Sequence, residues 1–294
     1  MATINKKIIG TGLNGLIGSR ITKLITDYNF ENLSLETGVN ILDKKIVEER
    51  IYKSEAEWVF HFAAKTDVDG CEVDKNKKEE GDAWKINVIG TENVINACQI
   101  SKKKLLYIST DFVFDGKEKK LYKEEDKPNP INWYGNTKFE AEKRVLSSNT
   151  HFIICRPSYP YRAVCKEKKD FFHAILDKLV NSEVITSVFD YVFTPTFIDD
   201  IADAIKVLIE KDLKGIYHIV GSKPLSPYQG AVKIAEAFSL DKNLVHKING
   251  DAYFNNRAKR PFHAAINNDK ISSLGVKMHS FDEGLSIIKK QMEE

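Results

Sequence analysis

The glycine spacing near the N-terminus is the feature that most constrains the fold of this chain. Gly12, Gly15 and Gly18 follow a short apolar run, Lys7–Gly10, and a helical pattern begins at Ile17. Glycines at this spacing permit a tight turn between a strand and a helix, and they let backbone N–H groups approach a pyrophosphate. The motif therefore predicts a dinucleotide-binding turn after the first strand.

Short apolar runs alternate with amphipathic stretches through residues 1–155. The runs Asn32–Glu36, Trp58–Ala63, Leu105–Ser109 and Phe152–Arg156 have the length of strands. Helical patterns of roughly 10 to 20 residues separate such runs in βαβ units. The alternation predicts an α/β fold with a doubly wound parallel sheet of the Rossmann type.

The pattern is looser in residues 156–294. Phe171–Val180 and Asp199–Glu210 have helical spacing, and Gly215–Val220 has the pattern of a strand that returns to the sheet. We therefore predict a dinucleotide-binding Rossmann domain over residues 1–155. Residues 156–294 are predicted to form a smaller substrate-binding lobe, with segments that return to the sheet.

Composition excludes several other classes of protein. The 294 residues carry 44 Lys and Arg against 42 Asp and Glu, and this balance does not favour an extended nucleic-acid surface. The four cysteines have neither C-x-x-C spacing nor metal-ligand spacing with the seven histidines, so no metal site is predicted. An apolar run of about 18 residues and a signal-peptide pattern are both missing, which predicts a cytoplasmic protein without a membrane segment.

Glu36 bears on the choice of cofactor. It ends the second apolar run, close to where a carboxylate would accept a hydrogen bond from a ribose 2′-hydroxyl. No arginine follows it closely to hold a 2′-phosphate. The position slightly favours NADH over NADPH, although a solvated loop residue is the alternative and the choice of cofactor stays open.

Tyr134 and Lys138 form a candidate acid–base pair. They are four residues apart at the start of a predicted helix and therefore share one face. A neighbouring cation favours a phenolate, so Lys138 is predicted to lower the pKa of Tyr134 and make it a usable proton donor. Upstream, Ser109 and Thr110 end an apolar strand at the sheet edge where ligands bind. A surface Tyr/Lys pair and hydroxyls that cap a turn are the alternatives.

Several motifs occur together in an order that resembles a known family. They are Thr11–Gly18, His61–Ala64, Asn87–Thr91, Ser109–Gly116, Tyr134-x-x-x-Lys138, Thr194–Ala202, Gly215–His218 and Arg260-Pro261. The chain resembles the extended short-chain dehydrogenase/reductases and, within them, the dTDP-4-dehydrorhamnose reductase-like family. The resemblance spans essentially the whole chain and implies a Rossmann-type fold.

The resemblance also implies roles for the matching residues. Those expected to bind the cofactor are Gly12, Gly15, Leu16, Ile17, Ala63, Ala64, Asn87, Tyr134 and Lys138. Thr110, Tyr134 and Lys138 would form a catalytic triad, and Asp111 would approach the sugar. Lys138 would also hold the nicotinamide ribose.

Two positions depart from the pattern of the family. Asn40 stands where an aspartate usually opens the segment after the second strand, which weakens any assignment of adenine contacts there. Tyr159 stands where the reductases tend to carry a tryptophan, and it is expected to stack on a sugar face. Arg260, with Lys259 beside it, is the candidate for a substrate diphosphate, with a surface ion pair as its alternative.

The implied function is NAD(P)H-dependent reduction of a nucleotide-linked 4-keto-6-deoxy sugar, as in dTDP-rhamnose biosynthesis. The oligomeric state is an open expectation, with a homodimer as the prediction. For the function, a sugar-nucleotide epimerase is one alternative. The other alternative is a non-catalytic, NADP-binding regulatory subunit that resembles the methionine adenosyltransferase β-subunit. A dehydratase is disfavoured, because Phe112 follows Asp111 where that chemistry would place a second carboxylate.

Overall fold

A six-stranded parallel sheet forms the centre of the computed structural model, which describes residues 6–118, 120–165 and 169–293. In chain order the strands are β1 (Lys6–Thr11), β2 (Tyr28–Leu33), β3 (Trp58–His61), β4 (Lys104–Ile108), β5 (Phe152–Arg156), β6 (Pro160–Tyr161), β7 (Ile185–Val188), β8 (Thr196–Phe197), β9 (Gly215–His218) and β10 (Val245–Ile248). The order in the main sheet is β2-β1-β3-β4-β5-β9. The remaining strands form the parallel pairs β10-β7 and β6-β8.

Helices cover both faces of the main sheet. In chain order they are α1 (Gly18–Leu24), α2 (Lys44–Lys53), α3 (Val68–Asp74), α4 (Asp82–Trp84), α5 (Gly90–Ser101), α6 (Trp133–Ser147), α7 (Phe171–Val180), α8 (Ile198–Glu210), α9 (Pro227–Ala237), α10 (Gly250–Tyr253), α11 (Asp269–Ser272) and α12 (Phe281–Glu293). One face carries α1 and α8, and the other carries α2, α5 and α6. Within the described ranges, no helix has both the length and the apolar character that crossing a membrane requires.

Side chains of the central strands alternate between the two faces, because successive Cβ atoms point to opposite sides of a strand. On one face Ile8, Phe60 and Leu106 pack against α1 and α8. On the other face Ile9 and Val59 pack against α2 and α5. Since both faces are buried, the strands are continuous apolar runs in the sequence. The predicted fold class, a doubly wound parallel sheet, is confirmed.

The strand order creates a crevice between β1 and β3. The chain passes outward from β1 to β2 and then crosses back to β3 on the other side of β1. Thr11 and His61 end these two strands in register, and Thr11 Oγ1 lies 2.6 Å from His61 Nδ1. In open α/β sheets, ligands bind at such a reversal, outside the carboxyl ends of the strands.

A second apolar core lies in the C-terminal half of the chain. It is built by α7, α9, α12, β7 and β10, with many aromatic side chains such as Phe172, Phe193 and Phe281. In contrast, β9 pairs with β5 and α8 packs on α1, so both belong to the main sheet layer. The predicted strand that returns to the sheet therefore corresponds to β9. The domain boundary after residue 155 stays a prediction.

Gly18 offers a test of how tightly the first turn packs on α1. A Cβ added at Gly18 would lie 2.6 Å from Leu13 Cα and 2.7 Å from Gly12 O, both backbone atoms. A Cβ at Gly15 would have Gly12 O as its nearest neighbour, at 3.2 Å. In urea denaturation we expect Gly18→Ala to lower the free energy of unfolding by about 2 kcal/mol or more, and Gly15→Ala by less than about 1 kcal/mol. Equal losses for the two variants would contradict this packing.

Candidate active site

The glycine-rich turn after β1 packs directly on the segment after β3. Gly12 has a φ of 67°, a left-handed conformation that glycine adopts without strain. A Cβ at Gly12 would lie 2.5 Å from Ala63 N, so a side chain there would push the two segments apart. A Cβ at Gly15 would be far less crowded. The first glycine thus permits close packing, and the second leaves room for a pyrophosphate against the backbone.

Leu16 and Ile17 lead from this turn into α1. Both side chains are half-buried and pack against the main core. Among the described residues, no side chain caps the N-terminal end of α1 with a hydrogen bond. Ser19 N and Arg20 N donate to the backbone carbonyls of Gly15 and Ile17, so it is the helix dipole that favours an anion at this position.

Arg162 is a further candidate residue of this site, and the sequence analysis missed it. It follows β6, and its Nη1 donates to Leu16 O and to Ser19 Oγ, both at 2.8 Å. Burial lowers the pKa of its guanidinium. A cation from the C-terminal half thus lies beside the first turn of α1. No local motif marks it, because the tertiary fold alone brings it to the turn.

Glu36 lies beside the same glycine-rich turn. β2 ends at Leu33, and the short 3-10 helix Leu35–Thr37 carries the exposed Glu36 side chain. Asn14 Nδ2 donates to Glu36 Oε2 at 3.2 Å, which links the carboxylate to the turn. The structure therefore brings Glu36 to the edge of the crevice, as a role in binding a ribose would require.

Asn87 joins the segment after β3 to α6. Its Oδ1 accepts from Lys65 N at 2.8 Å, and its Nδ2 donates to Lys65 O at 3.1 Å and to Thr137 Oγ1 at 2.9 Å. Ala63 and Ala64 are half-buried, and they immediately precede Lys65, whose backbone Asn87 binds. The amide of Asn87 thus holds the predicted ribose-binding segment at a set distance from the helix that carries the tyrosine and lysine.

Thr110, Tyr134 and Lys138 converge at the carboxyl end of β4. Thr110 follows the strand, accepts a hydrogen bond from Phe112 N at 3.2 Å, and its hydroxyl also interacts with the Tyr134 phenol. Lys138 Nζ donates to the carbonyl oxygen of Ile108, the last residue of β4, at 2.7 Å. The exposed fractions of Thr110, Tyr134 and Lys138 are 6%, 7% and 2%, so all three polar groups lie where little water reaches.

The ionisation of the Tyr134 and Lys138 pair differs from the expectation. Burial raises the pKa of the Tyr134 phenol above its ordinary value, and the contact with Thr110 offsets only part of this effect. Burial also lowers the pKa of Lys138 to about 7. The expected lowering of the phenol pKa by Lys138 is therefore wrong. The physical reason is that desolvation disfavours the charged form of both groups.

The Asp111 carboxylate is fully buried beside Thr110. It accepts hydrogen bonds from Thr110 Oγ1 at 3.0 Å and from Ser158 Oγ at 2.6 Å. Burial raises the pKa of Asp111 to about 6, although these hydrogen bonds oppose the effect. An ionised carboxylate only accepts hydrogen bonds, so Asp111 is suited to a hydroxyl donor on a substrate.

Tyr159 lies beside the triad in a strained conformation. Its φ of 42° is in the left-handed region, which costs a residue with a side chain about 1 to 3 kcal/mol. Its ring centroid lies 4.3 Å from that of Phe193 and 6.3 Å from that of Phe112, and its hydroxyl accepts from Tyr191 at 3.1 Å. The aromatic packing holds the strained residue in place. Strain of this kind is frequent at ligand sites.

Arg260 reaches the same region from the C-terminal half. Its Nη2 lies 3.0 Å from Asp69 Oδ1, its Nη1 donates to Ala258 O at 2.6 Å, and its guanidinium lies 5.2 Å from the ring centroid of Phe254. Its charge also opposes the rise in the pKa of Tyr159 that burial causes. The structure therefore places Arg260 near Tyr159 and also shows the ion pair that was its alternative role. The partner is Asp69, which the sequence analysis missed.

A nicotinamide dinucleotide fits the residues around the crevice. Gly15 leaves space on the turn, as described above, and Glu36 lies at its edge. Ser109 Oγ, next to the triad, is buried and has no hydrogen-bond partner within the described part of the chain. A buried hydroxyl of this kind is costly unless a bound group satisfies it. The turn, its edge and the triad could thus hold the phosphate, the ribose and the reacting end of such a cofactor.

Two known proteins are similar to most of the chain in sequence. Methionine adenosyltransferase 2 subunit beta of Bos taurus is 29% identical over 286 residues, which cover 92% of this chain and 83% of the relative. The dTDP-4-dehydrorhamnose reductase of Aggregatibacter actinomycetemcomitans is 28% identical and covers 98% of this chain and 99% of its own length. The similarity therefore extends across both halves of the molecule.

A solved structure and a family model agree with this similarity. The crystal structure of dTDP-4-dehydrorhamnose reductase from Bacillus anthracis, in complex with NADP, matches with a TM-score of 0.89 and 28% identity, covering 98% of this chain and 100% of that one. The family model described as RmlD substrate binding domain matches residues 6–293. The resemblance predicted from the motifs is confirmed, and the chain belongs to this RmlD family.

Proposed function

We propose that the protein is an NAD(P)H-dependent reductase of a nucleotide-linked 4-keto-6-deoxy sugar. The observation that carries the proposal is the convergence of Thr110, Tyr134 and Lys138 at the carboxyl end of β4, beside the crevice formed by β1 and β3. The similarity to dTDP-4-dehydrorhamnose reductases over 98% of the chain supports the same reaction and substrate class.

The triad would act on the carbonyl oxygen of the substrate. A bound reduced nicotinamide supplies the hydride for the carbonyl carbon. The raised pKa of Tyr134 keeps the phenol protonated at neutral pH, so it can donate that proton to the oxygen. Thr110 orients the same oxygen, and the positive charge of Lys138 favours the negative charge that develops there. Water then replaces the proton on Tyr134.

Asp111, Tyr159 and Arg260 would hold the substrate. Asp111 would accept a hydrogen bond from a sugar hydroxyl, and the Tyr159 ring would pack on a sugar face. Arg260 would bind the diphosphate. The guanidinium has five N–H donors, and the contacts with Asp69 and Ala258 leave donors for a phosphate. Lys259, the neighbour of Arg260 in the chain, would add a second positive charge.

Glu36 supports NADH as the slightly favoured cofactor. Its carboxylate would accept a hydrogen bond from the ribose 2′-hydroxyl of NADH, whereas it would repel the 2′-phosphate of NADPH. The Bacillus anthracis reductase was crystallised in complex with NADP, so at least one relative of the same fold binds the phosphorylated form. The preference of this chain is therefore a separate proposal from the reaction.

A regulatory subunit is the second candidate function. The observation in its favour is the 29% identity to methionine adenosyltransferase 2 subunit beta. Turnover of a keto-sugar nucleotide would favour the reductase, whereas cofactor binding without turnover would favour the regulatory subunit. An epimerase, the remaining alternative, would be indicated by an oxidised cofactor that stays bound through purification.

Cytoplasmic location and a homodimer stay predictions. Light scattering after size exclusion would measure the oligomeric state.

The proton-donor role predicts a large effect of Tyr134→Phe. With NADH and dTDP-4-keto-6-deoxy-hexose, we expect kcat to fall about 100-fold or more, because the phenol proton is lost. NADH affinity, followed by nicotinamide fluorescence, should remain close to that of the parent. Tyr52→Phe, at a side chain that is 67% exposed, is the matched control and should retain full turnover. Parental turnover in the Tyr134 variant would refute the assignment.

The Glu36 proposal predicts that NADH binds at least as tightly as NADPH in fluorescence titrations. Glu36→Gln removes the repulsion of a 2′-phosphate, so the affinity for NADPH relative to NADH should rise about two- to fivefold. Glu79→Gln, at another exposed glutamate, should leave the ratio unchanged. A clear preference of the parent for NADPH would count against the role of Glu36.

A further inference from the structure

The helix α6 carries a second buried charge on the same face as Lys138. Glu142 follows Lys138 by four residues, so the two side chains lie one helical turn apart on one face. Glu142 is 0% exposed, and its partner Arg156, at the end of β5, is 1% exposed. Arg156 Nε lies 2.9 Å from Glu142 Oε1, and Arg156 Nη2 lies 2.6 Å from Oε2. This pair connects α6 to β5 one helical turn after Lys138.

Arg156 holds Glu142 in one place. Two parallel hydrogen bonds from one guanidinium fix both oxygens of the side chain. The guanidinium is itself confined, because it lies 5.2 Å from the Phe114 ring centroid and its Nη1 lies 3.3 Å from His218 Nε2. Burial keeps the pKa of His218 well below its ordinary value, so this imidazole is neutral. The Glu142 carboxyl group is therefore fixed one helical turn from Lys138.

Tyr107, His61 and Tyr134 also lie near Lys138, and all three are neutral. From β4, the Tyr107 ring centroid lies 4.2 Å from Lys138 Nζ, and from β3, the ring of His61 stacks on Tyr107 at 5.7 Å. Burial lowers the pKa of His61 to about 3, and on α6 the Tyr134 phenol is protonated. Glu142 opposes the effect of burial on the pKa of Lys138.

We infer that Glu142, anchored by Arg156, is a positioning residue that keeps Lys138 in its ammonium form in the working enzyme. The inference rests on the proposed function, because it concerns the lysine of the same triad. Glu142 acts through its field and not by contact with a substrate. In a buried site, a fixed negative charge has a strong effect over several ångströms because little water screens it.

The ammonium form of Lys138 matters for two reasons. It has three N–H donors, and Ile108 O is the acceptor for one of them. Among the described residues no acceptor takes the other two, so they can serve a ribose hydroxyl. It also provides the positive charge that stabilises a developing alkoxide. A neutral amine would lose the charge and one donor. The alkaline limit of the reaction should therefore follow the deprotonation of Lys138.

Glu142→Gln tests this inference, since it removes the charge and keeps the size of the side chain. The measurement is kcat/KM for the keto-sugar nucleotide with NADH across the neutral and alkaline pH range. Loss of the carboxylate disfavours the ammonium, so the alkaline limb of the profile should move to lower pH by about one unit or more. Activity on the acidic side, where Lys138 stays charged, should be largely kept.

Glu140→Gln is the matched control on the same helix. Glu140 is partly exposed and pairs with Lys143 at 2.5 Å, so its loss should leave the pH profile in place. A purely structural role for Glu142 would reduce activity equally at every pH. That outcome, or an unchanged alkaline limb in Glu142→Gln, would overturn the inference.

The double variant Glu142→Gln with Arg156→Gln covers the case in which the single variant does not fold. It removes both charges, and so it does not leave a buried guanidinium without its carboxylate. The alkaline limb should again move to lower pH, but by less than in the single variant, because loss of the guanidinium charge opposes the effect. A parental limb in both variants would refute the inference. If the parent turns over no keto-sugar nucleotide, NADH affinity as a function of pH becomes the readout. A shift of that dependence in the variants would then support the inference even though the proposed function had failed.

Discussion

The close approach of Gly12 to Ala63 is the contact on which the crevice depends. The two segments leave neighbouring parallel strands, and any side chain at Gly12 would meet the backbone of Ala63. The contact holds the glycine-rich turn against the segment after β3. Asn87 then connects that segment to α6, which carries Tyr134. A chain of backbone and amide contacts thus sets the distance between a phosphate-binding turn and an acid–base group.

Burial is what gives the triad its chemical character. A surface Tyr134 and Lys138 would titrate near their ordinary values, and neither would change its charge near neutral pH. In the structure, desolvation makes the phenol a weaker acid and the ammonium a stronger one. The phenol therefore keeps its proton until a substrate oxygen takes it. The lysine, in contrast, needs a nearby anion to stay charged, which explains why the surroundings of α6 matter as much as the triad.

Local spacing predicted the parts of the site that depend on a few consecutive residues. The turn at Gly12 and Gly15 and the pair of Tyr134 and Lys138 follow from glycine geometry and helical periodicity. Arg162 and Asp69 could not be found in this way, because each reaches the site from a segment far away in the chain. The direction of the Tyr134 pKa was also missed, since a sequence pattern does not show how deeply a side chain is buried.

The hydrogen bonds of Arg162 have a mechanical consequence. They connect the chain after β6, in the half of the protein that would hold the sugar, to the carbonyl of Leu16 at the start of α1. If that half moves away from the sheet, either the hydrogen bond from Arg162 to Leu16 breaks or the glycine-rich turn moves with it. Together with the contacts from Ser158 to Asp111 and from Arg260 to Asp69, this guanidinium restrains relative motion of the two halves where they meet.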